Sequence, residues 1–146
     1  VRELYRRKFD EDPLYKVVPY KDMPETLQKL KHTGLKMAVC SNKPHVAAQK
    51  VVKAIYGDLF DEVMGQQEGI RRKPAPDGPL KIAEDFGVKP EECMAFGDQY
   101  NDLEMLELVG HSYAMSNSAP GVSYYADEVT DSVEDVLEDV LASLDK

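Results

Sequence analysis

The sequence is poor in cysteine, in basic residues and in long apolar runs, and each shortage excludes a class of protein. Its two cysteines, Cys40 and Cys93, lie inside apolar runs, so we expect buried thiols in a reducing, cytoplasmic setting and neither a disulfide nor a metal pair. The 18 Lys and Arg against 27 Asp and Glu give a net charge of -9, which argues against a nucleic-acid partner. No run approaches the roughly 18 apolar residues of a membrane span, so no membrane partner is expected.

The length and composition are those of a small globular protein. A chain of 146 residues is about the size of one domain and buries roughly two thirds of its unfolded surface. Apolar residues make up 42% of the chain and charged residues 31%, as is usual for globular domains. We therefore expect one compact domain, and nothing in the sequence predicts its oligomeric state.

Helix-like and strand-like segments alternate along most of the chain. Apolar residues recur at helical spacing in some segments and form short continuous runs in others, with Gly or Pro near many of the boundaries. Such alternation predicts an α/β fold with a parallel sheet flanked by helices. The helices are predicted at 23–34, 44–57, 76–87, 102–110 and 132–144, and the strands at 35–40, 60–65, 93–97, 111–116 and 129–130.

Polar residues follow several of the predicted strands, where open α/β sheets bind their ligands. Ser41 and Asn42 follow the first strand, Lys73 lies in the loop after the second, and Asp98 follows the third. A hydroxyl and backbone N–H groups can bind phosphate oxygens, and a lysine can neutralise their charge. Carboxylates such as Asp98 and Asp102 can hold Mg²⁺. The set as a whole suits a phosphate and a magnesium ion.

Each member of this set also has a purely structural interpretation. Ser41 is typical of a helix N-cap ahead of Pro44. Lys73 alone is typical of a solvated surface lysine. Asp98 and Asp102 are typical of helix capping and of favourable charge near a helix N-terminus.

The other acidic and imidazole side chains do not join the set. Glu104 and Glu107 lie further along the helix that begins near Asp102, where a solvated acidic face is expected. The three histidines are far apart in the sequence, and we expect structural or surface roles for them: His32, His45 and His111.

Three short motifs occur at these positions: SNKP at 41–44, RKPAP at 72–76 and GDQYND at 97–102. In order and spacing they resemble motifs two, three and four of the haloacid dehalogenase-like hydrolases. Residues 17–98 are most similar to phosphoglycolate phosphatases of that superfamily. From GDQYNDLEML onward, with YAMSNSAPGV, the chain resembles instead the ends of Cof-type sugar-phosphate phosphatases.

For the fold, the resemblance implies a Rossmann-like α/β core over residues 17–146, with most of the cap absent. Residues 1–16, which include the helical-looking RELYRRKF, would be the end of a helical cap or a connection. The family's cap contacts the leaving group, so neither the cap type nor the ester can be predicted from this chain.

For the chemistry, the resemblance implies Mg²⁺-dependent hydrolysis of a small phosphomonoester, phosphoglycolate-like or sugar-phosphate-like, through a phosphoaspartate. Ser41, helped by the N–H of Asn42, would bind the phosphoryl oxygens. Lys73 would offset charge on the nucleophile and the phosphate. Asp98 would hold Mg²⁺, with Asp102 beside it or one water away. The implied partner is a small phosphorylated metabolite.

The family's first motif, D-x-D-x-T or D-x-D-x-V at the end of an apolar strand, is not found, although it supplies the nucleophile and the general acid. The closest string, FDEDPLY, contains Asp10 and Asp12 at the right separation, but Arg-Arg-Lys precedes it where a buried strand should be. We therefore expect the family pattern to begin upstream of Val1 and this chain alone to be inactive. The missing strand would sit centrally, between the strands that carry Ser41 and Asp98.

Three other functional classes use similar residues. A response-regulator receiver has its acids first and its lysine last, whereas the order here is Ser41, Lys73, Asp98. A true dehalogenase of the same superfamily needs no metal, against which the pair Asp98 and Asp102 argues. A non-catalytic phosphate-binding or regulatory remnant stays open because the nucleophile motif is absent.

Overall fold

The chain forms two compact units, residues 1–67 and residues 68–146. The computed structural model describes residues 23–144. The expected boundary after residue 16, the segment RELYRRKF and the pair Asp10 and Asp12 lie outside the described residues. The assignment of 17–146 to one family core stays a prediction.

Within residues 23–67 the first unit contains two helices and two strands. They are α1 (Met23–His32), β1 (Ala38–Pro44), α2 (His45–Tyr56) and β2 (Glu62–Gln66). Helix α1 buries residues three and four apart, which is the spacing of one helical face, and ends ahead of Gly34, whose φ of 86° favours glycine. Its buried side chains are Met23, Thr26, Leu27 and Leu30.

Strands β1 and β2 pair in parallel, with an irregularity at the carboxyl end of β1. Regular pairing ends at Cys40 opposite Met64 and resumes at Pro44 opposite Gln66. Between these two pairs β1 contains three residues and β2 contains one, so residues 41–43 form a bulge. The bulge places SNKP within the last part of the strand, whereas the sequence predicts that the strand ends at Cys40.

The second unit contains a parallel sheet of three strands in the order β3-β4-β5. Its register pairs Phe96 with Tyr113 and Tyr113 with Glu128. The regular elements of this unit are α3 (Asp77–Phe86), β3 (Met94–Gly97), α4 (Leu103–Leu108), β4 (His111–Met115), β5 (Glu128–Thr130) and α5 (Val133–Leu144), with 3₁₀ turns at Pro90–Glu92, Tyr100–Asp102 and Val122–Tyr125.

A small apolar core packs against one face of this sheet. Leu106 of α4 packs with Ala114 of β4 and Val122, and the partly buried Leu103, Ala119 and Ala126 surround them. On β4 the two buried residues, Ser112 and Ala114, are two positions apart, which is the strand period. Because Ala114 pairs with Gly97, this core fixes the carboxyl end of β3.

The elements confirm the predicted α/β class. Each of the five predicted helices and five predicted strands has a counterpart among the described residues. The largest differences are at the end of β1, as described, and at the start of α4, which begins at Leu103 after a 3₁₀ turn. No helix within residues 23–144 combines the length and apolar character that a membrane crossing requires.

The prediction that both cysteine thiols are buried is wrong. Cys40 lies within β1 and Cys93 directly before β3, and both are of intermediate exposure because these short strands are only partly covered. Partial burial, followed by the charges of Glu92 and Glu91, raises the pKa of the Cys93 thiol. A thiol with a raised pKa is a poor nucleophile at neutral pH.

Replacing Leu106 by Ala tests the core under the sheet. Leu106 is 1% exposed, so we expect Leu106→Ala to lower the free energy of unfolding by about 2–5 kcal/mol through lost burial and a residual cavity. Urea denaturation measures the change. The control is Leu80→Ala on α3, where the side chain is 42% exposed and the loss should stay below about 1 kcal/mol. Equal losses in the two variants would contradict the assigned core.

Candidate functional site

The bulge at residues 41–43 carries the candidate phosphate ligands of the first unit. The Ser41 hydroxyl oxygen accepts a hydrogen bond from the N–H of Lys43 at 3.1 Å, which closes a local turn. The N-cap of α2 is Pro44, so the interpretation of Ser41 as the cap of this helix is wrong. Asn42, the residue after Ser41, is half-buried. The sequence predicts both Ser41 and Asn42 as ligands, and that role stays a prediction.

Asp98 lies where the sequence places it, directly after the last residue of β3. Its side chain is exposed, and its carboxylate makes no hydrogen bond or ion pair with another of residues 23–144. Its backbone is held firmly, because its carbonyl accepts the N–H of Ala119 at 2.9 Å. An exposed carboxylate on a fixed backbone is suited to act as a ligand for a cation.

Asp102 is in the opposite situation, because it is only 5% exposed and both of its carboxylate oxygens accept hydrogen bonds. Oδ2 accepts the backbone N–H groups of Asp98 at 3.0 Å and Gln99 at 3.2 Å. Oδ1 lies 2.6 Å from the Lys73 ammonium. The carboxylate therefore caps the turn that carries Asp98 and also holds Lys73.

Gly97 is required by this packing. A Cβ added at residue 97 would lie 2.7 Å from Cβ and 3.0 Å from Cγ of Asp102, closer than side chains approach one another. The atom it would meet is near the backbone of Asp102, so rotating a flexible side chain cannot relieve the clash. The glycine of the GDQYND motif thus lets Asp102 fold over the end of β3.

The loop that carries Lys73 is tied to helix α3 by a separate ion pair. The side chain of Lys73 is 11% exposed, so the interpretation as a solvated surface lysine is wrong. Two residues earlier, Arg71 pairs with Asp77 through its guanidinium and also donates its backbone N–H to that carboxylate. These hydrogen bonds lower the pKa of the Asp77 carboxyl, and the bond from the guanidinium has the largest effect. The loop is therefore fastened to the first turn of α3 just before Lys73.

No pattern in the sequence predicts two of the contacts at this site. The Tyr100 hydroxyl donates to the carbonyl of Pro120 at 2.8 Å, and the N–H of Ala119 donates to Asp98. Together they fasten the loop after β4 to the turn that carries Asp98. The partners are about 20 residues apart, outside the range of any helical or strand periodicity.

The second unit thus brings Lys73, Asp98 and Asp102 together, with Asp102 as the link. Ser41 and Asn42 belong to the first unit, and their convergence with Lys73 stays a prediction. Within residues 23–144, no group of three or more His, Cys, Asp or Glu side chains is arranged to hold a metal ion. A metal here would take few protein ligands, as Mg²⁺ commonly does.

The chain resembles known proteins in sequence. Residues 3–110 match the family model for haloacid dehalogenase-like hydrolases. A phosphoglycolate phosphatase of Aquifex aeolicus is 32% identical over 115 residues, which cover 78% of this chain and 54% of that protein. One from Mannheimia succiniciproducens is 32% identical over 124 residues, covering 81% and 55%. The chain therefore spans about half the length of the curated relatives that it matches.

Solved structures agree in fold. A protein from Lactobacillus delbrueckii subsp. bulgaricus, assigned as a phosphoglycolate phosphatase, superposes with a TM-score of 0.81 at 28% identity over 94% of this chain and 60% of its own. A 3-deoxy-D-manno-octulosonate 8-phosphate phosphatase from Moraxella catarrhalis gives 0.70 at 16% identity over 87% and 71%, a likeness of fold alone. The three motifs, the Rossmann-like α/β fold and the match over residues 3–110 agree, and the chain belongs to the haloacid dehalogenase-like hydrolase family.

Proposed function

We propose that this chain carries the phosphate-binding and magnesium-binding residues of a hydrolase that releases phosphate from a small phosphomonoester. The observation that carries the proposal is the buried ion pair between Lys73 and Asp102, fastened to the turn that presents Asp98. The curated relatives named above are phosphoglycolate phosphatases, so we propose a phosphoglycolate-like or sugar-phosphate-like substrate. No nucleic-acid or membrane partner is proposed.

A non-catalytic or regulatory remnant is not favoured. Taking two charges out of water is costly, and well-packed apolar residues often replace a buried ion pair at no loss of stability. A chain that no longer handled a phosphoryl group would gain little by keeping Lys73 and Asp102 buried together. The retained pair supports the catalytic interpretation.

Lys73 is proposed to offset the negative charge of the phosphoryl group and of the attacking carboxylate. An ammonium acts as a point charge with three N–H donors. Asp102 takes one of these donors and so fixes the position of the ammonium. A cation held in place before the substrate arrives needs no rearrangement as negative charge develops in the transition state.

The donor set fits Mg²⁺, which takes one or two protein carboxylates and fills its remaining positions with water and phosphate oxygens. Asp98 is proposed as the protein ligand because its exposed carboxylate has no partner within residues 23–144. Asp102 has both oxygens engaged, so we propose that it acts through Lys73 and the turn, while direct ligation by Asp102 stays a prediction. When bound, Mg²⁺ would neutralise charge on the phosphate oxygens.

The first unit is proposed to supply Ser41 and the N–H of Asn42 to the phosphoryl oxygens. The nucleophile is proposed to come from an upstream segment with the D-x-D motif. Its carboxylate would attack phosphorus and expel the alcohol, and water would then hydrolyse the phosphoaspartate. Two cysteines that are not joined in a disulfide support the proposed cytoplasmic setting.

The magnesium proposal is tested by neutralising one carboxylate at a time. Because Asp98 has no other partner within residues 23–144, we expect Asp98→Asn to weaken Mg²⁺ binding by about tenfold or more. Glu104→Gln, which removes an exposed acid of α4, should change the affinity less than about twofold. Titration calorimetry measures both. Equal weakening would indicate a diffuse acidic surface in place of a site.

The phosphate proposal is tested at Lys73 with tungstate as a phosphate mimic. We expect Lys73→Met to weaken tungstate binding by about tenfold or more, because a hydrogen bond to a charged group contributes about 1.5–3 kcal/mol. Lys81→Met, which breaks the exposed pair with Asp85 on α3, is the control and should leave the affinity nearly unchanged.

Lys73→Met also leaves the buried carboxylate of Asp102 without its cation. A loss of about 3–5 kcal/mol in the free energy of unfolding is expected, so folding must be checked by circular dichroism. The double variant Lys73→Met with Asp102→Asn removes the uncompensated charge. If it folds and binds tungstate as tightly as the unmodified chain, Lys73 has no part in anion binding.

The missing nucleophile gives the most direct test of the mechanism. We expect residues 1–146 to hydrolyse p-nitrophenyl phosphate near the background rate, since loss of a nucleophile commonly costs several powers of ten. Activity should appear when an upstream segment with the D-x-D motif is restored. The control is Asp10→Asn with Asp12→Asn. Robust turnover by residues 1–146 that this double change abolishes would show that FDEDP supplies the nucleophile.

A further inference from the structure

His45 makes a contact that the proposed chemistry does not use. It is the first residue of α2 and is half-buried, and its Nδ1 accepts the backbone N–H of Gly65 at 3.0 Å. An imidazole nitrogen accepts a hydrogen bond only when it carries no proton. The ring is therefore neutral in this arrangement, with its proton on Nε2.

The backbone of β2 comes unusually close to this residue. A Cβ added at Gly65 would lie 2.5 Å from Cα of His45 and 2.7 Å from the carbonyl oxygen of Lys43. Only glycine fits such an approach, and it brings the Gly65 N–H within reach of the imidazole. The contact lies just beyond the carboxyl end of the bulge at residues 41–43.

The end of the bulge is the point where the ladder resumes and α2 begins. The ladder between β1 and β2 is interrupted between the pairs Cys40–Met64 and Pro44–Gln66, so residues 41–43 lie outside its regular register. The N-cap of α2 is Pro44, which has no side-chain oxygen with which to close the first turn of the helix. The bond from Gly65 to His45 therefore ties the point where the bulge ends to the neighbouring strand.

We propose that His45 is a positioning residue for this bulge. Its neutral ring, anchored on Gly65, holds the segment of Ser41 and Asn42 in the conformation that binds an anion. The identity of that anion as a phosphoryl group rests on the proposed function, whereas the anchoring does not. His45 thus acts through the bulge and itself contacts neither phosphate nor metal.

Replacing His45 by Asn or by Gln, whose side chains differ in length, distinguishes an anchoring role from general packing. The Oδ1 of Asn is attached at the same distance from the backbone as the Nδ1 of His, whereas the Oε1 of Gln is one atom further out. His45→Asn therefore keeps an acceptor where Gly65 needs one. His45→Gln keeps the polarity but displaces the acceptor, and His45→Ala removes it.

The experiment records amide spectra and hydrogen exchange of the full chain for these three variants, together with the affinity for inorganic phosphate. We expect the Gly65 amide to stay protected in the unmodified chain and in His45→Asn, and to exchange about tenfold faster in His45→Gln and His45→Ala, as follows from losing one hydrogen bond. The amide of Val52, inside α2, is the internal control and should not change.

Phosphate affinity should follow the same order, with a loss of about tenfold in His45→Gln and His45→Ala and less than about twofold in His45→Asn. Equal affinity and equal Gly65 protection in all variants would overturn the proposal, as would loss in His45→Asn equal to that in His45→Ala. If the unmodified chain binds no phosphate, the proposed function fails. The positioning role is then supported if the amide shifts of residues 41–43 move in the Gln and Ala variants only, and is overturned if they do not.

Discussion

The carboxylate of Asp102 is the group on which the candidate site depends. A buried carboxylate must find charge or hydrogen-bond donors, and Asp102 finds the ammonium of Lys73 and two backbone N–H groups. To reach them it folds over the end of β3, which requires a glycine at residue 97. The shape of the turn and the place of the lysine therefore follow from satisfying one buried charge.

The apolar core beneath the sheet makes this arrangement rigid. Ala114 pairs with Gly97 across the sheet and packs on Leu106, so the end of β3 cannot move without disturbing the core. Hydrogen bonds from Ala119 to Asp98 and from Tyr100 to Pro120 also connect the loop after β4 to the turn. A carboxylate at Asp98 is thus presented by a backbone held at three places, and such preorganisation is what binding and catalysis need.

Most of the fold could be predicted from the sequence, because periodicity and Gly or Pro boundaries determine the helices and strands. The end of β1 could not, because its bulge depends on where β2 resumes pairing. Nor could the contacts from Tyr100 to Pro120 and from Gly65 to His45, since each joins residues 20 apart with no shared pattern. The sequence identified the site's residue types, but which carboxylate turns inward depends on the folded turn.

The two acids of the GDQYND motif show why that distinction matters. Asp102 lies at the end of a 3₁₀ turn, where its side chain folds back over the first N–H groups, which have no partner within the turn. Its oxygens thus accept three hydrogen bonds, two from backbone N–H groups and one from the Lys73 ammonium. Asp98 precedes the turn and, within residues 23–144, has no such donors, so its charge is balanced only by solvent or a bound cation. Identical side chains four residues apart therefore have opposite environments, because the turn encloses one and the other faces solvent.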